Sequence, residues 1–269
     1  MCLLLFSYRP EEHGRLVLIA NRDEFYDRPA VPAHEWPREH GDRARGRRIV
    51  AGRDLQSGGT WLGVDAARGR FAAVTNFRRP GWEAEVPAAR SRGDLTVDFL
   101  DGDLDSMAFL ASVQERRSSY NGFNLLVFDG ATLAWYTNRS DEGPRKIGSG
   151  VHALCNGPLD AAWPKMERGK RMLAQRLEED AAAGKVPDES LLELLLDDAV
   201  PADEELPDTG VGIEAERRLA PIFVSMEGAY GTRCSTLLVM DADGPATFVE
   251  KTRVPADASP GTATFKFPR

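Results

Sequence analysis

The hydrophobic positions of this chain fall into short continuous runs near both ends and into helical stripes in the middle. Each continuous run is apolar on both faces of the expected strand, which indicates strands that are covered on both sides. The clearest runs are residues 3–6, 16–20, 71–74, 123–128 and 236–240. Further strands are predicted at residues 61–64, 132–137 and 246–250, with turn signals at Gly58-Gly59 and Asp243-Gly244-Pro245.

The helical stripes predict three helices, each preceded by an aspartate that can accept a hydrogen bond from a first-turn amide. These aspartates are Asp105, Asp160 and Asp188. The order is therefore strands, then helices, then strands, and the regular alternation of a doubly wound parallel sheet is disfavoured. We expect an α+β fold in which two mainly antiparallel sheets stack and helices cover their outer faces.

Composition and charge narrow the classes of function. The 269 residues carry a net charge of −8, which argues against nucleic acid or an anionic membrane as the main partner. Arginine supplies 28 of the 34 Lys and Arg residues. Arginine binds planar anions well, so some of these residues could serve a binding site. The alternative, codon usage in a GC-rich genome, explains most of them. The apolar segment at the start of the sequence is too short for a signal peptide or a membrane span. Three cysteines are too few and odd in number for a disulfide scaffold, which favours a reducing compartment. We expect a cytoplasmic protein without stable membrane insertion, and its oligomeric state is left open.

Cys2 stands where removal of the initiator methionine would expose it, because methionine is commonly removed before a small residue. The mature chain would then carry a thiol and a free α-amine on one residue. An α-amine has a pKa of about 7.7–8, so it can act as the base for the neighbouring nucleophile near neutral pH. This arrangement is the N-terminal-nucleophile variant of the hydrolase triad. The alternative is that Cys2 is a small core residue near a frayed terminus.

Charged residues follow the second predicted strand directly. Arg22 could hold the thiolate or a substrate carboxylate, and Asp23 could orient the α-ammonium group of Cys2. Such charges at the end of a buried strand are costly unless they are paired or face a cleft. The alternative is a structural ion pair in a turn.

Three more polar residues lie beside predicted strands. Asn76 and Asn156 could bind an oxyanion through their amide N–H groups, although asparagine is also a common turn residue. Arg233 opens the last long strand and suits carboxylate or oxyanion binding, the alternative being a surface cation. Since strand neighbours point to opposite faces, the adjacent Cys155 and Cys234 are predicted to be core thiols.

Motifs for other chemistries are missing from the sequence. There is no phosphate-binding loop, no dinucleotide-binding glycine motif and no serine nucleophile elbow. The four histidines do not pair with a second His or Cys at metal-ligand spacing. We therefore predict no cofactor and no metal.

Several motifs resemble the NRDE family, whose animal members are called transport and Golgi organisation proteins. They occur in the family's order over nearly the whole chain: Met1-Cys2, Ala20-Asn21-Arg22-Asp23-Glu24-Phe25-Tyr26 with Arg28-Pro29, Gly58-Gly59-Thr60-Trp61-Leu62-Gly63, Ala73-Val74-Thr75-Asn76-Phe77, Tyr120-Asn121-Gly122-Phe123-Asn124-Leu125, Asn156 and Gly231-Thr232-Arg233. That family is similar to the N-terminal-nucleophile (Ntn) hydrolases, especially the group with penicillin V acylases and bile salt hydrolases. The resemblance implies a single domain over residues 1–269, built as a four-layer αββα sandwich.

The resemblance also implies hydrolysis of a non-peptide amide C–N bond. Cys2 would be nucleophile, base and acid, and Asn76 and Asn156 would contact the oxyanion. Arg22 and Asp23 would correspond to the arginine and aspartate that follow the second strand in such enzymes, and Arg233 would correspond to their late arginine. In the acylases the arginine and aspartate are further apart than the adjacent Arg22-Asp23 here, so the role of one of the two stays open.

The same family is linked to haem mobilisation and to lipid or acyl-CoA homeostasis. The chain has no Cys-x-x-Cys-His motif for covalent haem attachment, so haem would be a transported ligand. The partner is therefore expected to be a small-molecule amide, an acyl compound or a haem-like ligand. A non-catalytic carrier that uses the same cleft is the alternative to a hydrolase.

Overall fold

Two antiparallel sheets stack face to face in the computed structural model, which describes residues 2–12, 14–36, 48–65, 67–78, 90–226, 228–241, 244–253 and 261–267. The first sheet has the spatial order β10 (Gly150–Leu154), β1 (Cys2–Arg9), β2 (Arg15–Phe25), β12 (Tyr230–Met240), β13 (Ala246–Thr252) and β14 (Thr262–Phe267), with β11 (Ser225–Met226) paired to β12. The second has the order β3 (Ala30–Glu35), β4 (Ile49–Asp54), β5 (Leu62–Asp65), β6 (Arg70–Asn76), β7 (Phe123–Phe128), β8 (Leu133–Thr137) and β9 (Arg145–Lys146). The predicted strands are all present, and the α+β class is confirmed.

Helices cover both outer faces of the stacked sheets. The α-helices are α1 (Gly93–Asp101), α2 (Ser106–Glu115), α3 (Pro164–Ala182) and α4 (Ile213–Leu219), and 3₁₀ segments span Arg117–Ser119, Glu189–Leu196 and Asp203–Glu205. As predicted, the Asp105 side chain caps α2 by accepting from the Ala108 amide at 2.8 Å. Asp188 also caps its segment, but that segment is a 3₁₀ helix. In the described part of the chain no helix combines the length and the hydrophobicity that a bilayer crossing needs.

The prediction that Asp160 caps a helix is wrong. Helix α3 begins at Pro164, because the fixed φ of proline suits the first helical position. Asp160 instead fastens β10: one carboxylate oxygen accepts from the Ala153 amide at 2.8 Å, and the other lies 2.7 Å from Nδ1 of His152.

Three apolar cores explain why the strands are hydrophobic on both faces. Leu4 and Phe6 of β1 point into the core between the two sheets, whereas Leu3 and Leu5 point into an outer core that α3 covers. A third core, with Phe99 as one of its fully buried residues, lies between the second sheet and helices α1 and α2. The layers therefore run helix, sheet, sheet, helix. The inner strands β1, β6 and β7 are buried on both faces over most of their length, which is why alternation is missing from these runs of the sequence.

One edge of the sandwich gathers the strand ends that carry polar residues. There β1 begins, β2 ends and β12 begins, because these three strands are antiparallel neighbours. Strands β4 and β6 of the second sheet end on the same side. Residues that are far apart in the chain therefore lie close together at one opening between the two sheets.

Candidate functional site

A cavity of about 590 Å³ opens at this edge between the two sheets. Its volume lies in the range of small-molecule sites. Five of the six residues predicted from the sequence line it: Cys2, Arg22, Asp23, Asn76 and Arg233. The structure therefore brings together side chains from the first, second, sixth and twelfth strands.

A row of paired residues crosses the first sheet at the base of the cavity. Cys2 of β1 is in register with Arg22 of β2, and Arg22 is in register with Cys234 of β12. Directly paired residues of antiparallel strands project from the same face of the sheet. The Arg22 side chain therefore lies between two thiols, and all three residues line the cavity.

A β-bulge brings Cys234 to the cavity wall, although the thiol is buried, as predicted. The register between β2 and β12 shifts between Thr232 and Cys234, so Arg233 and Cys234 both reach the cavity instead of opposite faces. Cys155, by contrast, is fully buried in the outer core, as predicted. Cys234 is a buried thiol of the cavity wall, and no local sequence signal marks the bulge.

The surroundings of Cys2 hold its thiol in the protonated form. Cys2 is half-buried, and burial raises the pKa of its thiol to about 11. The charge of Asp23 raises this pKa further, while the charge of Arg22 lowers it. The thiolate is the major form only above the thiol pKa, so in the chain that still carries Met1 almost all of the sulfur is protonated near neutral pH and is not an activated nucleophile.

Asp23 is almost fully buried at the end of β2. Its Oδ1 atom accepts a hydrogen bond from the Thr232 hydroxyl at 2.7 Å, and the Tyr230 hydroxyl donates to its backbone carbonyl at 3.2 Å. Burial raises the pKa of the Asp23 carboxyl, and the positive charges of Lys165 and Arg22 oppose this shift. Strand β12 therefore holds Asp23 in a fixed position beside the start of β1.

The two predicted oxyanion donors lie at different depths. Asn76 is half-buried at the end of β6 and lines the cavity. Asn156 is fully buried behind it, and its Nδ2 atom donates to the backbone carbonyl of Asn76 at 2.8 Å. Asn156 is not among the described residues that line the cavity. Its hydrogen bond to the Asn76 carbonyl positions Asn76 instead. Its role as a direct oxyanion donor stays a prediction.

Ion pairs connect the charged side chains at the edge of the cavity near Arg22. Arg28 Nε lies 2.6 Å from Asp54 Oδ2, and the Arg22 guanidinium lies 3.7 Å from both Asp54 and Glu24. The pKa of Asp54 is lowered by its hydrogen bond with Arg28, against the opposing effect of partial burial. The turn-type ion pair considered for Arg22 is therefore present, and it forms part of the cavity wall.

Arg233 fixes the segment that follows β2. Its Nη1 atom donates to the backbone carbonyls of Phe25 at 2.8 Å and Tyr26 at 3.3 Å, and also to that of Arg28. Partial burial and the neighbouring charge of Arg22 lower the pKa of Arg233, which still leaves a guanidinium charged at neutral pH. The residue is half-buried in the cavity wall, so the surface-cation alternative does not describe it.

Sequence reasoning missed several charged residues of the cavity. Arg28 stands in the motif that carries the family resemblance, and Arg53-Asp54 lies three residues before the Gly58-Gly59 turn, so both had a local signal. Glu250, Arg90 and Arg92 had none, because tertiary packing alone brings them to the cavity. Among the described residues, no three His, Cys, Asp or Glu side chains are grouped to hold a metal ion.

Gly231, beside the site, is expected to tolerate no side chain. A Cβ atom there would meet the Tyr26 hydroxyl and lie 2.6 Å from the Val224 carbonyl oxygen. We expect Gly231→Ala to lower the free energy of unfolding by about 1–3 kcal/mol, because neighbouring backbone must move. Gly148→Ala is the matched control: a Cβ there meets no described atom within 4 Å, and the expected change is within about 0.5 kcal/mol. Urea unfolding of both variants checks this, and equal stability would contradict the close packing.

The fold and site together define a two-sheet α+β protein with a thiol-containing, arginine-lined cavity at one sheet edge. The family model for Transport and Golgi organisation 2 matches residues 1–255, and the chain belongs to this family. The family predicted from the motifs is thus confirmed.

Relatives in animals cover almost the whole chain. The Transport and Golgi organization 2 homolog of Mus musculus is 33% identical over 286 residues, which is 99% of each chain. The Homo sapiens homolog is 33% identical over 288 residues, again 99% of each chain. The Drosophila melanogaster Transport and Golgi organization protein 2 is 23% identical over 279 residues, 96% of this chain and 94% of its own.

Proposed function

We propose that this protein is a cysteine Ntn-type hydrolase that cleaves a non-peptide amide bond with Cys2. The observation that carries the proposal is that the thiol at the start of β1 lies in the 590 Å³ cavity together with Arg22, Asp23, Asn76 and Arg233. A loose terminus would not be packed among polar side chains from both sheets. The cytoplasmic location and the single domain predicted from the sequence stay predictions.

The reaction proceeds in two steps once Met1 has been removed. The α-amine of Cys2 takes the thiol proton while the sulfur attacks the amide carbonyl, and the resulting ammonium returns the proton to the leaving amine. The C–N bond breaks and a thioester remains on Cys2. Water then attacks the thioester, with the α-amine as base, and releases the acid and the free thiol.

The cavity residues take separate roles in this mechanism. The Asn76 amide lies at a strand end of the opposite sheet, where it binds the oxyanion, and Asn156 positions it through the 2.8 Å hydrogen bond to its carbonyl. Asp23 balances the α-ammonium charge at the start of β1, since its carboxylate is held by the 2.7 Å bond from Thr232. The guanidinium groups of Arg22 and Arg233 bind a charged part of the substrate.

Removal of Met1 acts as the activating step. The processed chain has an ammonium group one residue closer to the sulfur, and a nearby positive charge favours the thiolate. The pKa of about 11 that burial imposes on Cys2 then falls towards the working range. The same step therefore creates the base and activates the nucleophile.

A non-catalytic carrier of haem or another apolar carboxylate is the second candidate function. The raised pKa of Cys2 favours it, since a protonated thiol is a poor nucleophile but can still lie in a binding cavity. Arg22 or Arg233 would bind a propionate or carboxylate group. The described lining residues include no histidine, so Cys2 or Cys234 would have to contact the haem iron as a weak, exchangeable ligand.

The N-terminus of the purified protein tests the hydrolase. Intact-mass measurement is expected to show that Met1 is absent, and an iodoacetamide probe is expected to label Cys2 before Cys155 and Cys234. The two other thiols are internal controls, because Cys155 is fully buried and burial raises the pKa of Cys234 well above its ordinary value. Retained methionine or equal labelling of the three thiols would contradict the mechanism.

A haem titration separates the two candidate functions. Saturable haem binding by a wild-type protein that hydrolyses no amide would favour the carrier. Loss of that binding in Cys2→Ala would assign the iron contact to the thiol.

A further inference from the structure

We infer that the ligand of this cavity is a small organic molecule with two anionic groups, carboxylate or phosphate. The inference rests on the proposed function, since it names the chemical class of the substrate at the same site. It also describes the cargo if the protein is a carrier.

The first observation is the excess of positive charge in the cavity lining. The described lining residues include six arginines, Arg22, Arg28, Arg53, Arg90, Arg92 and Arg233, against four carboxylates, Asp23, Glu24, Asp54 and Glu250. The chain as a whole carries a net charge of −8. A cationic cavity in an acidic protein attracts anions locally, because low-dielectric walls focus the field.

The second observation concerns the four carboxylates, which are already engaged within the wall. Glu24 and Asp54 lie within salt-bridge distance of Arg22 and Arg28. Glu250 is almost fully buried, and its Oε1 atom accepts from the Ala33 amide at 2.6 Å. Asp23 accepts a 2.7 Å hydrogen bond from the Thr232 hydroxyl, and burial raises the pKa of both Asp23 and Glu250.

The third observation is that two cavity arginines keep their charge for a ligand. No carboxylate of the described part of the chain lies within 4 Å of the guanidinium of Arg53 or Arg233. Arg53 donates from Nε to the Gly58 carbonyl at 3.0 Å and stacks 4.9 Å from the centre of the Trp36 ring. Arg233 donates from Nη1 to backbone carbonyls. Neutral partners hold both side chains in place without cancelling their charge.

The positions of Arg53 and Arg233 in different sheets favour a ligand that carries two separate anionic groups. Arg53 belongs to β4 of the second sheet, and Arg233 belongs to β12 of the first sheet. Both residues are part of the cavity lining, and they come from different sheets. Arg233 immediately precedes Cys234 in the sheet that holds Cys2, and Arg53 belongs to the other sheet, so each arginine binds one of the two anionic groups.

Binding of simple dianions to the full-length protein tests the inference without measuring hydrolysis. Isothermal titration with glutarate and with pyrophosphate distinguishes a dicarboxylate from a phosphate ligand, and acetate and glutaramide are the mono-anionic and neutral references. We expect saturable binding of at least one dianion, weaker at high salt, and much weaker binding of acetate and glutaramide.

Substitution of the two arginines locates the site. Arg53→Met and Arg233→Met are each expected to weaken dianion binding about 10- to 100-fold, as for loss of a charge-assisted hydrogen bond. Arg145→Met is the matched control, because Arg145 is exposed on β9 and stacks on Trp135 outside the cavity. Arg53→Lys and Arg233→Lys keep the charge and separate loss of binding from loss of folding, which circular dichroism also monitors.

The outcomes separate this inference from the proposed hydrolysis. No dianion binding, or equal weakening by Arg145→Met, overturns the inference even if Cys2 hydrolyses amides. Dianion binding that depends on Arg53 and Arg233 supports it even if the purified protein proves to be a carrier. Tight binding of glutaramide would also overturn it, because the charge would then be unnecessary.

Discussion

Cys2→Ala is expected to abolish amide hydrolysis, with a loss of about 10⁶-fold, as when the nucleophile of a covalent hydrolase is removed. The α-amine remains in this variant, but it has no thiol to activate and no thioester forms. The measurement is release of p-nitroaniline from a panel of p-nitroanilides with neutral and ω-carboxyl acyl groups. Mass spectrometry of a quenched reaction is expected to show the acyl adduct on wild-type Cys2 alone.

The control for this prediction removes a thiol that lies outside the cavity. Cys155→Ala is expected to keep the wild-type rate, because Cys155 is fully buried in the outer core. Hydrolysis that persists in Cys2→Ala would show that another group is the nucleophile. No hydrolysis by wild-type protein on any member of the panel would leave the carrier as the function.

Insertion of a glutamate between Met1 and Cys2 is expected to lower the rate about 10²- to 10⁴-fold, although the thiol itself is unchanged. A bulky second residue protects the initiator methionine from removal, so the free amine no longer stands on the residue with the sulfur. The base is therefore lost, together with the positive charge that favours the thiolate. The measurements are p-nitroanilide hydrolysis and the intact mass of the variant.

The pH dependence of alkylation gives this variant a second readout. Burial raises the pKa of Cys2 to about 11 in the chain that carries Met1, so its reaction with iodoacetamide is expected to increase with pH up to about that value. In the processed chain the neighbouring ammonium lowers the thiol pKa, and the midpoint moves to lower pH. Equal midpoints in the two forms would contradict activation by processing.

A cleavable leader provides the rescue experiment. A chain in which a protease site precedes Cys2 is expected to be inactive before cleavage and active after it, because cleavage restores the α-amine on Cys2. Full activity with the leader still attached would show that the amine is dispensable.

The family motifs and the strand ends predicted most of the candidate site. Cys2, Arg22, Asp23, Asn76 and Arg233 stand at the ends of strands that the hydrophobic pattern had already outlined, and all five line one cavity. Their common location could be predicted because polar residues that directly follow a buried strand must reach either a partner or a cleft. Their catalytic roles stay predictions.

The errors arose where local patterns compete with tertiary contacts. Asp160 has the residue type of a helix cap, but Pro164 starts the helix and β10 takes the aspartate as a hydrogen-bond partner. Cys234 follows Arg233 on a strand, yet the bulge turns both towards the cavity. The oxyanion role of Asn156, which donates to the Asn76 carbonyl, stays a prediction.

The amino-acid sequence by itself determined the strands, their burial on both faces and the position of a thiol at the head of the first strand. These follow from hydrophobic spacing and from residue order, which are local properties. Only the tertiary structure decided which of the 28 arginines line the cavity and which carboxylates neutralise them. The physical reason is that these contacts join distant segments, as in the bond between Thr232 and Asp23 across 209 positions, and such pairing depends on strand register and sheet stacking.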